Sequence, residues 1–320
     1  MKNKNWFFGI LLATVFVAVI VWQLIAPGTP VTVNIPVGAT GREVTHLLKQ
    51  AKLISSEKLF LAVAKLLGDS KRFKEGIYDI SPRTGMFRLI KIITEGKSRL
   101  YRVTVPEGLT SAQIADLIFS SGTVSSEKFK SIVEEKGLEG YLFPQTYFFD
   151  PGTNPEKIID MMVSEFNRNY TDDLKKRARE LKLTDKKVIT LASIIEKEAK
   201  LPEERPRISA VFHNRLKKRW YLESCATVLY ALGEHKEVLL KKDLRVDSPY
   251  NTYRHIGLPP GPICNPGLES IKAALYPAAT NEMYFVVSSS GAHVFACNLE
   301  EHTKNKRVMK NARKKSLLRP

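Results

Sequence analysis

Two glutamates near the end of one amphipathic segment are the best candidates for acid–base chemistry in this sequence. The segment reads TDKKVITLASIIEKEAK from residue 184 to residue 200, and Thr184 is a favourable helix N-cap. At 100° per residue the apolar side chains form one stripe, with Glu196 at one margin and Glu198 at the other. A carboxyl group against apolar surface loses hydration, which raises its pKa toward the range that a general acid needs at neutral pH.

The same spacing also has an ordinary structural interpretation. Glu196 and Lys200 are four residues apart, and ion pairs at this spacing are common on exposed helix faces. Such a pair contributes only about 0.3–0.5 kcal/mol to stability. Periodicity alone favours the ion pair, and it does not choose between the two glutamates as a catalytic group.

An arginine in the next amphipathic segment needs a partner. The segment reads RISAVFHNRLKKR over residues 207–219, and Arg215 projects from the middle of its apolar face. A buried guanidinium must meet a carboxylate or a ligand oxygen. The alternative is that the stem of the side chain packs while its charged head reaches water.

A third segment predicts a stiff loop. It reads SPYNTYRHIGLPPGPICNPG over residues 248–267 and concentrates Pro, Gly, Asn and Tyr between periodic segments. Tyr250, Asn251 and Tyr253 could offer a sugar the amide and aromatic contacts that it uses. The alternative is a purely structural Ω-loop.

The sequence lacks the usual motifs of nucleotide, metal and serine-hydrolase chemistry. It contains no GxGxxG, GxxxxGK[ST], HExxH, GxSxG or CxxC motif, and its six histidines show no ligand spacing. Three cysteines are too few for a disulfide-dense scaffold. We therefore expect neither a metal nor a cofactor.

The composition is that of a globular protein with a strongly basic balance. Of 320 residues, 43% are hydrophobic, and 50 Lys and Arg against 33 Asp and Glu give a net charge of +17. These values exclude a disordered acidic chain, a collagen-like chain and a protein with many membrane spans. Residues 304–320 contain eight basic residues and no acidic one, which is typical of a mobile tail or a short helix. Such a basic chain first suggests nucleic acid as a partner.

The amino terminus argues against nucleic acid. Residues 6–26 read WFFGILLATVFVAVIVWQLIA, an uncharged run long enough for a helix to cross a bilayer. Lys2 and Lys4 precede the run, so we expect residues 1–5 in the cytoplasm and the chain beyond the span on the outer side of the cell membrane. The alternative, a cleaved signal peptide, would have a shorter apolar region and a small-x-small cleavage site. Exported positive charge would meet anionic lipid headgroups instead.

A repeated pattern follows a short extended linker. Residues 33–58 and residues 103–128 match at a fixed offset of 70, from PxG near the start to SSEK at the end. Each copy predicts a strand, a turn and an amphipathic helix, with Thr40 or Thr110 as N-cap. Two copies are too few for a solenoid. The pattern therefore indicates a small module similar to the glycan-binding LysM fold, or a structural duplication.

Alternation and helical period predict the remaining elements. The predicted elements are strands at 77–80 and 100–105, a helix at 86–94, one or two helices within 154–182, and a hairpin of strands at 283–289 and 292–298.

Four segments together resemble one enzyme family. LASIIEKEAK, FHNRLKK, YNTYRHIGLPPGPICNPG and LEGYLFPQTYFF (138–149) are similar to segments of the MltG (YceG-like) endolytic peptidoglycan transglycosylases. The similarity runs in the same order from about residue 30 to residue 303. It implies cleavage of the β-1,4 bond between N-acetylmuramic acid and N-acetylglucosamine within nascent glycan strands, leaving a 1,6-anhydro end.

The resemblance also implies an α+β fold behind a single transmembrane helix. The expected divisions are a cytoplasmic amino terminus (1–5), the transmembrane helix (6–26), a LysM-like α/β module (27–102), a catalytic domain (103–303, which opens with a second repeat-like segment at 103–150) and a basic tail (304–320).

The resemblance assigns the catalytic role to the first glutamate of an ExE motif, which is Glu196 here. It implies substrate-binding roles for a larger set: Asn214, Arg215, Thr227, Tyr250, Asn251, Thr252, Tyr253, Gly257, Leu258, Pro259 and Pro260. One segment departs from the family pattern. Where many members read LQSDPT or LQTDPT, this chain reads LESCAT at 222–227, with the acid displaced to Glu223 and Cys225 at the usual Asp. Cys225 is then either a buried small side chain or a disulfide partner of Cys264.

One carboxyl group suffices for the implied reaction. Glu196 would protonate the glycosidic oxygen and then accept the proton of the muramic C6 hydroxyl as that oxygen closes onto C1. A hydrolase would need a second carboxylate, such as Glu198, Glu223 or Asp247. The other alternative is a non-catalytic, glycan-binding membrane scaffold. The expected partners are peptidoglycan strands and the cell membrane, with peptidoglycan synthases or divisome proteins as further partners and no nucleic acid.

Overall fold

The computed structural model describes residues 29–316, except residues 37, 71, 97–99, 120–123, 151, 234–235, 237–238 and 289–290. The expected cytoplasmic terminus and transmembrane helix, residues 1–26, therefore lie outside the described residues. Among the described helices, none has both the length and the apolar character of a bilayer span.

The described residues form an α+β structure of twelve α-helices and three small sheets. The strands are β1 (Val31–Ile35), β2 (Gly76–Ile80), β3 (Tyr101–Thr104), β4 (Thr146–Phe149), β5 (Tyr284–Val287) and β6 (His293–Ala296). The helices are α1 (Gly41–Gln50), α2 (Glu57–Leu66), α3 (Met86–Glu95), α4 (Ser111–Ile118), α5 (Val124–Glu135), α6 (Pro155–Asn169), α7 (Asp172–Glu180), α8 (Asp185–Glu198), α9 (Arg205–Lys217), α10 (Cys225–Leu232), α11 (Leu268–Leu275) and α12 (Leu299–Ser316). Two 3₁₀ turns occupy Pro202–Glu204 and Asp243–Arg245. The α+β class expected from the sequence is confirmed.

The chain divides into two compact units. The first comprises the residues through Arg102 together with Phe148–Thr153, and the second comprises Val103–Tyr147 and the residues from Asn154 onward. Strands pair in the order β1–β2, β3–β4 and β5–β6.

The first unit is built on an antiparallel pair of strands. β1 and β2 align with Val31 opposite Ile80, and α1 packs on β1 and on α2. Alternate residues of both strands point inward, as period-2 patterning requires. The core of this unit consists of apolar side chains from the strands, the three helices and the turn after α1: Val33, Ile35, Val44, Leu48, Leu53, Phe60, Ala64, Tyr78, Ile80, Leu89, Ile90 and Ile93. The strand predicted at 77–80 and the helix predicted at 86–94 are confirmed.

The two repeat copies begin their helices with the same capping arrangement. The Thr40 hydroxyl accepts a hydrogen bond from the Glu43 amide, and the Glu43 carboxylate accepts one from the Thr40 amide. Thr110 and Gln113 make the equivalent reciprocal pair at the start of α4. Each pair satisfies two amides that the first turn of a helix leaves without partners. Both predicted threonine N-caps are confirmed.

The second unit is organised around α8. Thr184 caps this helix by accepting a hydrogen bond from the Lys187 amide at 3.3 Å, as predicted. Every residue from Val188 to Ile195 is buried, because α8 packs against α11 on one side and against α9 and α10 elsewhere. A helix covered on most of its surface needs apolar or small residues on most of its faces. The packing of the buried part of α8 therefore determines the position of its last turn, which carries Glu196 and Glu198.

The remaining predicted elements of the second unit are also present. The segment 154–182 forms the two helices α6 and α7, and β5 and β6 form the predicted antiparallel hairpin. Of the two alternatives for the basic carboxyl terminus, the structure has a helix, α12, which packs against this hairpin.

Candidate functional site

Glu196 lies in the last turn of α8 with its carboxyl group almost enclosed. Its side chain is 8% exposed. One carboxyl oxygen, Oε2, accepts a hydrogen bond from the Gly267 amide at 3.1 Å. The other, Oε1, receives Nη2 of Arg205 at 3.4 Å. Both oxygens therefore face donors from other segments of the chain.

The alternative ion pair of Glu196 with Lys200 is not formed. α8 ends at Glu198, and Ala199 already has extended backbone angles. Leu201, two residues further on, is also extended, as expected for the residue before a proline. Lys200 is thus outside the helix, and the Glu196 carboxyl pairs with Arg205 instead.

Arg205 joins Glu196 to a second carboxyl group that the sequence analysis missed. It is the first residue of α9, and its Nε donates to the Ser270 hydroxyl at 3.0 Å. Its Nη2 also lies 3.6 Å from Oε2 of Glu107. The repeat contained a signal for Glu107. The matching residue of the first copy is the apolar Val37, so the glutamate is not part of the pattern that the two copies share.

Glu107 occupies the space above a glycine. A Cβ at Gly267 would overlap the Glu107 carboxyl group, although the backbone angles of Gly267 suit any residue. The same Gly267 donates its amide to Glu196. Burial raises the pKa of Glu107, the negative charge of Glu196 raises it further, and Arg205 opposes both. The two carboxyl groups, the guanidinium and this amide form one cluster, which we call the Glu196 cluster.

An asparagine holds the Glu107 turn to the segment that carries Gly267. The Gly108 amide donates to the backbone oxygen of Asn265 at 2.9 Å. The Asn265 side chain accepts from the Leu142 amide at 2.8 Å and donates to the backbone oxygen of Leu109 at 3.0 Å. It also donates to the carboxyl group of Glu139 at 3.1 Å. The Glu196 cluster is therefore supported by a buried polar network that begins in the LEGYLFPQTYFF segment.

Glu139 is expected to make stability depend on pH. Burial raises its pKa from 4.5 to about 7, against the hydrogen bonds from the Ser111 amide and hydroxyl and from the Gly140 amide, which lower it. Between these two values the folded protein binds more protons than the unfolded chain, so stability falls as pH rises from about 5 to about 7. We expect Glu139→Gln to remove this component, which amounts to at most about 3 kcal/mol.

Urea unfolding of the full chain at pH 5 and pH 8 measures this difference. The exposed Glu135 supplies the control, since Glu135→Gln should keep the wild-type change between the two pH values. If Glu139→Gln keeps it as well, Glu139 is not the group responsible.

Glu198 contacts different groups from Glu196. Its Oε1 accepts a hydrogen bond from the Ser224 hydroxyl at 2.6 Å. The Ser224 amide in turn donates to the Thr252 hydroxyl at 3.0 Å, and this hydroxyl is 2.8 Å from that of Thr227. Thr227 and Thr252 are fully buried. Glu198 therefore anchors the start of α10 to the YNTY segment.

The YNTY segment uses much of its polar capacity within the protein. Asn251 is fully buried and donates to the backbone oxygens of Leu244 and Val246. The Tyr253 hydroxyl lies 3.2 Å from the thiol of Cys225. These contacts hold the loop to the rest of the protein, and the substrate-binding roles of Asn251, Thr252 and Thr227 stay predictions.

The aromatic and proline residues of this loop are more accessible. The ring of Tyr250 packs on that of Tyr230 with centroids 4.9 Å apart, and both Tyr250 and Tyr253 are half-buried. In the proline turn, Gly257 and Leu258 are half-buried. Pro259 is buried, and Pro260 is exposed. Tyr250 and Tyr253 are therefore the partly open aromatic side chains of this loop.

Asn214 and Arg215 hold the chain before β5. The amide group of Asn214 donates to the backbone oxygens of Thr280 and Glu282, both at 2.9 Å. Arg215 is 7% exposed, and its Nε donates to the backbone oxygen of Met283 at 2.8 Å. Its Nη1 donates to Oε2 of Glu223 at 2.9 Å, so the guanidinium has the carboxylate partner that was one of the predicted possibilities. The structure does not bring these two side chains into the Glu196 cluster, and their substrate-binding roles stay predictions.

The three cysteines are free thiols. Cys225 and Cys297 are exposed, and Cys264 is buried. The two interpretations of Cys225, a buried small side chain and a disulfide partner of Cys264, are therefore both wrong. Over the described residues no group of three or more His, Cys, Asp or Glu side chains is arranged to hold a metal ion.

Comparison with known proteins places the chain in a family. The family model described as the YceG-like family matches residues 33–308. The chain belongs to the YceG-like family. It is 38% identical over 306 residues to a Bacillus subtilis (strain 168) protein named endolytic murein transglycosylase, covering 87% of this chain and 84% of that protein. The family resemblance expected from the sequence is confirmed.

More distant relatives and a solved structure agree with this membership. A Streptococcus pneumoniae (strain D39) protein of the same name is 30% identical over 321 residues, and the match spans 86% of this chain but only 57% of that protein. The crystal structure of a YceG-like protein from Listeria monocytogenes is similar with a TM-score of 0.58 and 36% identity, over 86% of this chain and 98% of that one.

Proposed function

We propose that this protein is an endolytic lytic transglycosylase of nascent peptidoglycan, a lyase that cuts within glycan strands. The YceG-like relatives named endolytic murein transglycosylase support the activity. The observation that carries it in this chain is the Glu196 carboxyl group, enclosed at the end of α8 with one oxygen on the Gly267 amide and the other beside Arg205. The bond broken is the β-1,4 bond between N-acetylmuramic acid and N-acetylglucosamine.

In the proposed reaction Glu196 first donates a proton and then accepts one. Its protonated carboxyl group gives a proton to the glycosidic oxygen as the bond from that oxygen to C1 of the muramic residue breaks. The C6 hydroxyl oxygen of the same residue then bonds to C1, and its proton passes to the Glu196 carboxylate. The products are a free hydroxyl on the leaving strand and a 1,6-anhydro end, and no water is consumed. Because the nucleophile is part of the substrate, its effective concentration is high.

The neighbours of Glu196 suit the charged intermediate stage. Between the two proton transfers its carboxylate carries a negative charge in a mostly enclosed place, which is costly without partners. The Gly267 amide and the Arg205 guanidinium stabilise that charge from fixed positions. The protein then needs no rearrangement while Glu196 is in its carboxylate form.

A hydrolase of the same strands is the second candidate. The carboxylates named for it are engaged elsewhere: Glu198 by Ser224, Glu223 by Arg215, and Asp247 by Arg254 at 3.5 Å on the surface. The observation that favours a hydrolase is Glu107, a carboxyl group that shares Arg205 with Glu196. Hydrolysis requires such a second group to activate water.

Product masses decide between the candidates. We expect the purified full chain to shorten isolated glycan strands internally and to leave anhydro ends, which are lighter by one water than the reducing ends of a hydrolase. Reducing ends would establish the hydrolase. Strands of unchanged length would instead favour a non-catalytic glycan-binding scaffold.

The proposal includes a location. Residues 6–26 would anchor the chain in the cell membrane by a single pass, with the amino terminus in the cytoplasm and both units outside. The LysM-like role of residues 27–102 and the recruitment of peptidoglycan synthases or divisome proteins belong to the same proposal. The basic residues at the carboxyl end would meet anionic headgroups or the carboxylates of peptidoglycan.

A further inference from the structure

Two exposed aromatic side chains follow α9 on a backbone that is held by hydrogen bonds. Trp220 and Tyr221 are each 42% exposed, whereas the next residue, Leu222, is buried. Arg215 Nη1 donates to the backbone oxygens of Tyr221 and Leu222 at 3.2 Å and 3.0 Å. The Trp220 amide donates to the backbone oxygen of Arg215 at 2.9 Å. Two large rings are thus presented to solvent from a well-anchored segment.

The backbone angles on both sides of this aromatic pair are unusual. Arg219 and Glu223 have positive φ angles of 57° and 51°, which are uncommon for residues other than glycine. Arg219 has the position just after a helix that often takes such angles, but Glu223 does not follow a helix. The Glu223 amide is held by the backbone oxygen of Thr252 at 3.2 Å. Residues with such angles cluster at functional sites, and this one directly follows the exposed segment.

The surroundings of the aromatic pair carry mostly positive charge. Three exposed basic residues precede it, Lys217, Lys218 and Arg219. Lys218 Nζ lies 5.6 Å from the centroid of the Trp220 ring, which is a cation–π contact. Glu223 is the one acidic residue of the same stretch, KKRWYLE, and its charge is already paired with an arginine. A ligand that fits this surface offers apolar faces to the rings and negative charge to the basic side chains.

The aromatic pair is close to the end of α8 that carries Glu196. Tyr221 precedes Ser224 by three residues and therefore lies at most about 11 Å from it. The Ser224 hydroxyl donates to Glu198 at 2.6 Å, and Glu198 is two residues beyond Glu196 in the same helix. A long strand bound at Glu196 has only a short distance to cover before it reaches the pair.

We propose that Trp220 and Tyr221 form a distal subsite for a peptidoglycan strand that carries stem peptides. This inference rests on the proposed function. The two rings pack against the apolar C–H faces of the sugar rings, and Lys218 and Arg219 attract the carboxylates of the stem peptides. Tryptophan, tyrosine and arginine are the residues most enriched among those that dominate binding energies. An anionic lipid surface offers similar charge, but it gives no reason for the pair to lie beside the Glu196 end of α8.

The affinity of the full chain for isolated glycan strands that carry stem peptides tests this subsite. Every variant is made in a chain that also carries Glu196→Gln, so that the strands stay intact during the measurement. We expect Trp220→Ala combined with Tyr221→Ala to raise the dissociation constant at least about tenfold, as truncation of a dominant binding residue does. An unchanged dissociation constant overturns the inference.

A second pair of exchanges tests the charged part of the subsite. Lys218→Gln combined with Arg219→Gln should weaken the binding of strands that carry stem peptides more than the binding of strands from which the peptides have been removed. An equal effect on both kinds of strand contradicts the contact with the peptide carboxylates.

Phe148→Ala is the matched control, because Phe148 is another aromatic residue with a similar exposure of 53%. Its dissociation constant should equal that of the chain with Glu196→Gln alone, and an equal loss in Phe148→Ala contradicts a specific role for the pair. Thermal unfolding verifies the fold of each variant. If the double alanine variant unfolds, the exposed Tyr221→Ala alone provides the test.

Two further outcomes are separated from these. Binding of phosphatidylglycerol vesicles that requires both rings, with unchanged affinity for strands, would assign the pair to a membrane surface and overturn the inference. Failure of the proposed function is seen independently of the affinities, since the wild-type chain would then produce no anhydro ends from the same strands.

Discussion

Glu196→Gln is expected to abolish strand cleavage while the protein remains folded. Glutamine has nearly the same size, and its side-chain oxygen still accepts a hydrogen bond from the Gly267 amide or from Arg205. It has no acidic proton to give and no carboxylate to take one back. General acid–base catalysis contributes about 10²–10⁴-fold to a step, and both steps here use this group, so we expect a loss of at least about 10³-fold.

The measurement is the rate of anhydro-end formation by mass analysis, with thermal unfolding to verify the fold. The matched control is Glu198→Gln, two residues away on the same helix, in which glutamine still accepts from the Ser224 hydroxyl. Activity of the control should stay within about tenfold of the wild type, since the hydrogen bond it changes is worth about 1 kcal/mol. Wild-type activity of Glu196→Gln would remove this residue from the mechanism. Loss in both variants would return Glu198 to consideration as a second catalytic carboxylate.

Arg215→Met is expected to destabilise the second unit severely. The guanidinium is buried and donates to the backbone oxygens of Met283, Tyr221 and Leu222 as well as to Glu223. Methionine keeps part of the apolar stem and removes every donor, leaving acceptors without partners. The Glu223 carboxyl is half exposed and returns to water, so the main cost comes from the backbone oxygens. A buried acceptor left without a partner costs about 1–3 kcal/mol, and we therefore expect the free energy of unfolding to fall by about 3 kcal/mol.

Urea unfolding of the full chain measures this fall. The control is Arg254→Met, since Arg254 is half-exposed and its partner Asp247 is almost fully exposed. Such a surface pair contributes about 0–1 kcal/mol. A stable Arg215→Met variant with a raised KM for glycan strands would contradict the structural role and support the substrate-binding role that the family resemblance implies.

Local signals predicted the elements of this fold well, because they depend on residues close together in the chain. The threonines at 40, 110 and 184 are N-caps as expected, since a hydroxyl needs only the amide three residues on. The hairpin at β5 and β6 followed from two short apolar runs on either side of a Ser-Gly pair in the sequence. The end of α8 was less clear, because periodicity continues through Lys200 while Pro202 favours extended angles just before it.

The sequence by itself determined that a carboxyl group would stand at the margin of a buried helix, and the family motifs selected Glu196. Only the tertiary structure decided its partners, because Glu107, Arg205 and Gly267 come from three distant segments whose approach no local period encodes. The same holds for Arg215, whose need for a partner followed from its apolar surroundings. Which groups meet that need depends on how α9 packs against the chain before β5.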